Sequence, residues 1–249
     1  MAYLGYVVAL AFLVWSFDSV GMSFSELASG LPHMGRILAE MMPPDLSRIG
    51  PLFKAILETF QIALVGSAVG IVLGFLLAVP ATRQLSPHPL LYGFARGIIA
   101  LFRTVPDLIW AVFFVATVGL GAFAGTLTII VDTIGFCGRF FAEAMEETDR
   151  GSQEALTAIG ATRTGVICSA VVPAALPSFV NTSLFSLEKA VRSSVVIGLV
   201  GAGGIGIELK VSMDMFVYQQ AATIILLVFV LVLLVEHLSS AVRSRYLST

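Results

Sequence analysis

Long apolar runs alternate with short polar, turn-rich stretches along this chain. Six of them read as membrane helices: Tyr3–Phe17, Phe53–Pro80, Gly97–Val118, Ala122–Met145, Ala174–Val200 and Phe216–Val235. A crossing needs about 20 apolar residues, so the first is somewhat short. No Lys or Arg precedes it, which argues for an uncleaved helix over a signal peptide. Between the first two runs, Asp18–Leu52 is polar and carries Pro32, Pro43, Pro44 and Pro51. Within it, Met34–Met42 predicts a short amphipathic helix at the membrane surface. Ala81–Arg96 reads as a polar loop, and Gly201–Met215 as a glycine-rich turn region. In the second run Gly66, Gly70 and Gly74 fall on one helix face, which lets another backbone approach closely. The pattern gives an all-α, polytopic membrane fold. Residues 1–52 form a first helix and an extracytoplasmic segment, and residues 53–249 a transmembrane domain.

One interior stretch is not simply apolar: Gly151–Pro173, lying between the fourth and fifth runs. Ser152 is placed to cap a short helix, with Glu154 in its first turn where a carboxylate suits the helix dipole. Gly160 can end that helix in the left-handed conformation, and Thr162 can open the next. The product is a two-turn amphipathic helix on short stems at the membrane face. That shape can dock into a groove on another protein and offers no chemistry of its own. An ordinary loop helix would read the same way on local physics.

Composition and charge reinforce the membrane reading. The chain is 57% hydrophobic and 12% charged, with mean hydropathy +0.96, whereas soluble domains carry roughly a quarter charged residues. A net charge of −2 gives no basic character suited to nucleic acid. Cys137 and Cys168 have no metal-ligand spacing and read as small apolar fillers. Six crossings put both termini on one side. Arg83, Arg96, Arg150, Arg163, Arg243 and Arg245 then share that side with the 148–173 loop, and Arg36, Arg48, Lys54 and Lys210 lie opposite. The arginine excess marks the loop and both termini as cytoplasmic.

Ionisable groups inside spans are costly and tend to pair or to face a cavity. Arg103 and Asp107 in the third span stand at i,i+4, as do Glu188 and Arg192 in the fifth, with Lys189 beside Glu188. Asp132 and Arg139 lie in the fourth span. The Glu188–Lys189–Arg192 cluster is net positive. It is either an internally paired lock between helices or a station on an anion path, since arginine offers a planar donor fork to oxyanions.

Gly201–Gly206 spells G-x-G-x-x-G, but between membrane spans it has no βαβ context and reads as a glycine break in a helix. No lysine follows a glycine, so no phosphate-binding G-K-[ST] loop exists and energy from ATP must come from a partner chain. An intramembrane enzyme would need a nucleophile–base pair in one cavity. The histidines, His33, His88 and His237, stand beside no candidate nucleophile within a span.

Glu154-Ala155-Leu156, three residues, Gly160, nine residues and Ala170-Val171-Val172-Pro173 resemble the EAA loop of ABC importer permeases. Leu156 replaces the second Ala of that pattern, Ala170 its Ile and Val172 its Leu. The runs Phe102–Ala111, Leu85–Tyr92 and Val191–Gly206 resemble the phosphonate permease subfamily. Ala190, preceded by Lys189, stands where that subfamily commonly has Asn. This opens the substrate range to phosphite, hypophosphite or another small phosphorus oxyanion.

The resemblance implies a type I ABC importer permease fold and alternating access. It implies a second permease copy, two cytoplasmic ATPase subunits and an extracytoplasmic binding protein, with no cofactor. Glu154, Ala155, Leu156, Gly160 and Ala161 would couple to the ATPase. Arg192, Glu188, Lys189, Asp107 and Arg103 are the candidates for the translocation path. A permease sharing the docking loop but carrying another solute, such as methionine, is the alternative.

Overall fold

The computed structural model describes residues 2–21 and 23–247, and the last two residues, at the end expected to be cytoplasmic, lie outside them. The secondary-structure elements of the described residues are all helices, from α1 (Ala2–Ser19) and α2 (Phe24–Glu40) through the long α3 (Ile49–Ala81) to α4 (Pro89–Thr104) and α5 (Asp107–Val118). Then come α6 (Ala122–Glu146), α7 (Arg150–Ala158) and α8 (Arg163–Val166). A π-helical turn over Ile167–Val171 leads into α9 (Val172–Gly198), followed by α10 (Ile205–Asp214) and α11 (Tyr218–Leu247). Four helical stretches are each long and apolar enough to cross a membrane: Ile49–Ala81, Ala122–Glu146, Arg163–Gly198 and Tyr218–Arg245. The bent pairs α1–α2 and α4–α5 bring the number to six if each is one crossing.

The centre of the bundle is the triple of α3, α6 and α9. The predicted glycine face of α3 meets α6 directly. A Cβ on Gly66 would stand 2.6 Å from Ile129 Cβ, one on Gly70 2.5 Å from Thr133 Cβ, and one on Gly74 3.2 Å from the Gly138 backbone nitrogen. Toward the α7 end, Phe75, Phe141 and Phe179 from the three helices pack edge to face at centroid distances of 4.8–6.4 Å. Higher up, Ile62, Ala63, Ile129, Ala190, Val191 and Ile197 continue the core. In a bilayer such packing and backbone approach hold helices together, since lipid supplies little hydrophobic drive between them.

The expected third span is not one helix. Pro106 has no N–H, and its ring pushes Val105 to extended backbone (φ −81°, ψ 121°), so α4 stops and α5 leaves at 92°. Helix α4 also begins at Pro89, within the expected polar loop, where the His88 ring nitrogen accepts the Leu90 N–H at 3.1 Å. The amphipathic segment starts earlier than expected too, at Phe24, behind a Ser23 cap that accepts from Glu26 N–H. Of the expected turn region Gly201–Met215, Ile205–Asp214 is helical, and Gly201–Gly204 forms the break. The turn takes positive φ at Gly201, Gly203 and Gly204 (93°, 88° and 74°), where other residues are strained. It is packed inside protein: Gly121 N–H donates to Gly201 O at 2.9 Å, and Ile205 N–H to the buried Thr59 Oγ1 at 2.7 Å. This matches the expected helix break.

The opposite end from α7 is tied by the α2–α3 loop. Asp45 N–H donates to Gln219 O, Thr223 Oγ1 donates to Asp45 O, and the Ser47 N–H and hydroxyl donate to the Asp45 carboxylate. The Ser47 backbone bond, then its hydroxyl, hold the Asp45 carboxyl below the usual range. Of the two cysteines, Cys137 is buried as expected, but Cys168 is exposed on the π-helical turn and fills no core.

Candidate functional site

Helix α7 is the external feature of one end of the bundle. It starts at Arg150, with Asp149 as N-cap making no side-chain bond, so Ser152 does not cap it and Glu154 lies past the first turn. Its end is as expected. Gly160 sits at φ +86°, its N–H donates to Thr157 O, and Ala161 N–H donates to Leu156 O, both at 3.0 Å. This double closure satisfies the last carbonyls of the helix and depends on the left-handed residue. Thr162 then accepts the Gly165 N–H at 3.2 Å and starts α8, as its position predicted.

The faces of α7 are sharply divided. Leu156 and Ala161 turn inward against the cluster around Phe141 and Met145. Glu154, Ala155 and Ile159 face out, and Ile159 is 80% exposed. A 500 Å³ cleft beside it is lined by Gln84, Arg150, Gln153, Glu154, Thr157 and Ala158. Helix α7 thus has one anchored face and one bare apolar tip. Beyond the turn at Ile159–Thr162, α8, the π-helical turn and α9 form one helical stretch, Arg163–Gly198, that runs into the bundle centre. The π turn precedes Pro173, which has no N–H to continue the regular ladder.

The intramembrane charges pair differently from the sequence expectation. Glu188 does not pair with Arg192; it accepts from Arg243 of α11 at 3.2 Å. Lys189 donates to both oxygens of Asp132 on α6, at 2.7 and 2.9 Å, with its ammonium 5.2 Å from the Phe136 ring centroid. Arg192 is exposed and has no acidic partner among the described residues. Arg103 and Asp107 do not pair along one helix, because the break at Pro106 puts them on different helices. Arg103 is exposed, and Asp107 accepts the neighbouring Leu108 N–H at 2.9 Å. Arg139 bonds Glu143 at 2.7 Å within α6. The bonds of Arg243 to Glu188 and of Arg96 to Glu146 join residues too far apart in the chain for a helical spacing rule to signal them.

A bundle of long apolar helices, with a short exposed helix at one end and ion pairs Lys189–Asp132 and Arg243–Glu188 joining its helices, has the architecture of a membrane transport subunit. The sequence fits the family model of the binding-protein-dependent transport system inner membrane component over residues 70–246, and the chain belongs to that family. It is a multi-pass inner-membrane protein, a transport subunit that is not itself an enzyme. Over 222 residues it is 38% identical to the phosphite transport system permease protein PtxC of Stutzerimonas stutzeri, covering 89% of this chain and 81% of that one. It is 34% identical over 243 residues to the putative phosphite transport system permease protein HtxC of the same organism, covering 98% and 86%. A probable D-methionine permease, MetI of Vibrio cholerae, is 30% identical over 188 residues, covering 73% and 84%. Among solved structures, an inward-facing MetNI methionine ABC transporter superposes with TM-score 0.68 at 26% identity, over 78% of this chain and 95% of that one. The fold is that of type I importer permeases.

Proposed function

We propose that this chain is the membrane-spanning permease of an ATP-driven importer for a small phosphorus oxyanion, phosphite or a phosphonate, delivered by an extracytoplasmic binding protein. The observation that carries this reading is the 38% identity to a phosphite permease along 89% of the chain. Two copies form the pore, and two cytoplasmic ATPase subunits grip the two α7 helices through Glu154, Ala155 and Leu156, with Gly160 and Ala161 shaping the helix end. Both termini and residues 148–173 face the cytoplasm, residues 53–249 form the transport domain, and residues 1–52 precede it. ATP closes the ATPase pair, α7 moves with it, and the membrane halves open outward. Arg192 gives the passing oxyanion transient positive charge along a path that Arg103, Asp107, Glu188 and Lys189 border. Its exposure and lack of an acidic partner support that role. A pathway site has to be weak enough to release its ion.

The test is uptake in proteoliposomes holding this permease with its partner ATPase and binding protein. ATP-dependent uptake of phosphite or methylphosphonate is the expected result. Uptake of methionine with no phosphorus oxyanion transported would favour the second reading, which the 30% identity to a D-methionine permease supports. Orientation is checked in intact cells in a Cys168→Ser background. A cysteine at Ser29 reacts with an impermeant reagent and one at Thr157 does not.

A further inference from the structure

Glu146 is the last residue of α6, and α7 begins four residues later. One of its carboxylate oxygens accepts two hydrogen bonds at 2.8 Å, one from Arg83 N–H just past the end of α3 and one from Arg96 Nη2 of α4. Arg96 also donates through Nε to the Ala81 carbonyl, the last residue of α3, at 2.8 Å. Its guanidinium lies 5.4 Å from the Tyr92 ring centroid. The two charged side chains are about 30% and 29% exposed, so solvent screens them only partly. The stem of α7 is tied to the same point: Thr148 Oγ1 donates to Met145 O at 2.8 Å, and Gln153 Nε2 of α7 donates to Thr148 Oγ1 at 2.9 Å. Met145 itself is fully buried.

The ends of α3 and α6 and the middle of α4 therefore meet at one carboxylate, just before the start of α7. Arginine is the residue this geometry needs, because its fork presents donors at fixed separation to two acceptors at once. The remaining route from α7 into the membrane, through α8 and α9, contains the π-helical turn, whose backbone is irregular, and so bypasses α4. Helix α4 leads to the elbow at Pro106 and on to α5.

We propose that Glu146 and Arg96 are positioning residues for the transport step, a clasp that makes α3 and α4 follow the docking helix when the ATPase moves it. The inference rests on the reading of α7 as the coupling helix. It assigns to the pair the efficiency with which hydrolysis becomes transport, and no part in ATPase docking or substrate contact.

The test uses the full permease–ATPase complex with its binding protein in proteoliposomes, and reads solute moved per ATP hydrolysed. Glu146→Ala and Arg96→Ala are each expected to lower that ratio by about tenfold, the size seen along coupled networks. The ATPase should still co-purify, with basal hydrolysis within about twofold of the parent. The double variant should be no worse than either single one, since both remove the same link. Glu146→Gln, which still accepts the Arg83 N–H, and Arg96→Lys, which has one donor head for two acceptors, should fall between; they carry the test if an alanine variant fails to assemble. An unchanged ratio in the assembled variants overturns the clasp. Uptake and hydrolysis falling in parallel, or losses that multiply in the double variant, overturn it equally. The ratio is taken with whichever solute the parent complex imports, so failure of the phosphorus reading leaves this test intact.

Discussion

Glu188 accepts from Arg243, 55 residues further along the chain, at 3.2 Å, and Arg192, one turn above Glu188 on α9, is left without an acidic partner among the described residues. The two arginines are thus separable by mutation. Arg192→Ala should lower uptake several-fold with normal assembly, and Arg192→Lys should restore it only in part because the planar fork is lost. Arg243→Ala leaves a largely buried carboxylate unpaired and should destabilise the complex by about 3 kcal/mol. Glu188→Ala added to it should recover most of that stability. Uptake and thermal midpoints at equal permease levels read both effects. A stability loss in Arg192→Ala as large as in Arg243→Ala would count against a role in the path.

The Lys189–Asp132 pair locks α9 to α6 with both carboxylate oxygens engaged. Asp132 is only 15% exposed. Lys189→Met should therefore cost about 3 kcal/mol through the stranded carboxylate, and Lys189→Met with Asp132→Leu much less. Thermal unfolding of the purified complex checks the order. A double variant less stable than Lys189→Met would show that the pair is more than a neutral lock.

At Gly160 the left-handed backbone costs an alanine roughly 1–2 kcal/mol, although nothing lies within 4 Å of a Cβ there. Gly160→Ala should loosen the end of α7 and weaken ATPase co-purification modestly. Gly160→Pro also removes the N–H that bonds Thr157 O, forbids the positive φ, and should abolish coupled transport. Ligand affinity of the separate binding protein should not change. Ligand-stimulated ATP hydrolysis is the measurement, and normal stimulation in the proline variant would remove α7 from the coupling path.

Gly70→Ala sets helix propensity against space. Alanine favours an α-helix by about 1 kcal/mol over glycine. Its Cβ, however, would lie 2.5 Å from Thr133 Cβ and 3.0 Å from the Ile130 carbonyl. Overpacking costs about 1–3 kcal/mol, and backbone cannot give way like a side chain, so the clash wins. A lower thermal midpoint is expected for Gly70→Ala. Gly93→Ala on α4, with open space around it, should show no such loss.

Local periodicity made much of this fold legible. The i,i+4 glycines of α3 announced their seam, and Gly160 and Thr162 announced the end of one helix and the start of the next. Helical spacing also suggested the wrong partners for Arg103 and Glu188. A rule that sees four residues along one helix cannot see Arg243 arriving from α11, nor a proline that turns two neighbours onto different axes. Pro106 did carry a signal, since the residue before a proline leaves helical backbone. Its 92° consequence depends on where α5 finds its packing against α6. The Glu146–Arg96 contact had no local signature: one partner ends a span and the other sat in what read as a loop.

The seam of α3 against α6 brings backbone to backbone where most helix pairs interpose side chains. Rotamer changes cannot let such a joint slide in small steps, because the α6 side chains in it, β-branched Ile129 and Thr133, sit directly on glycine backbone. The two helices behave as a single stave. Relative movement within the bundle is thereby shifted away from this seam and toward the 92° elbow between α4 and α5.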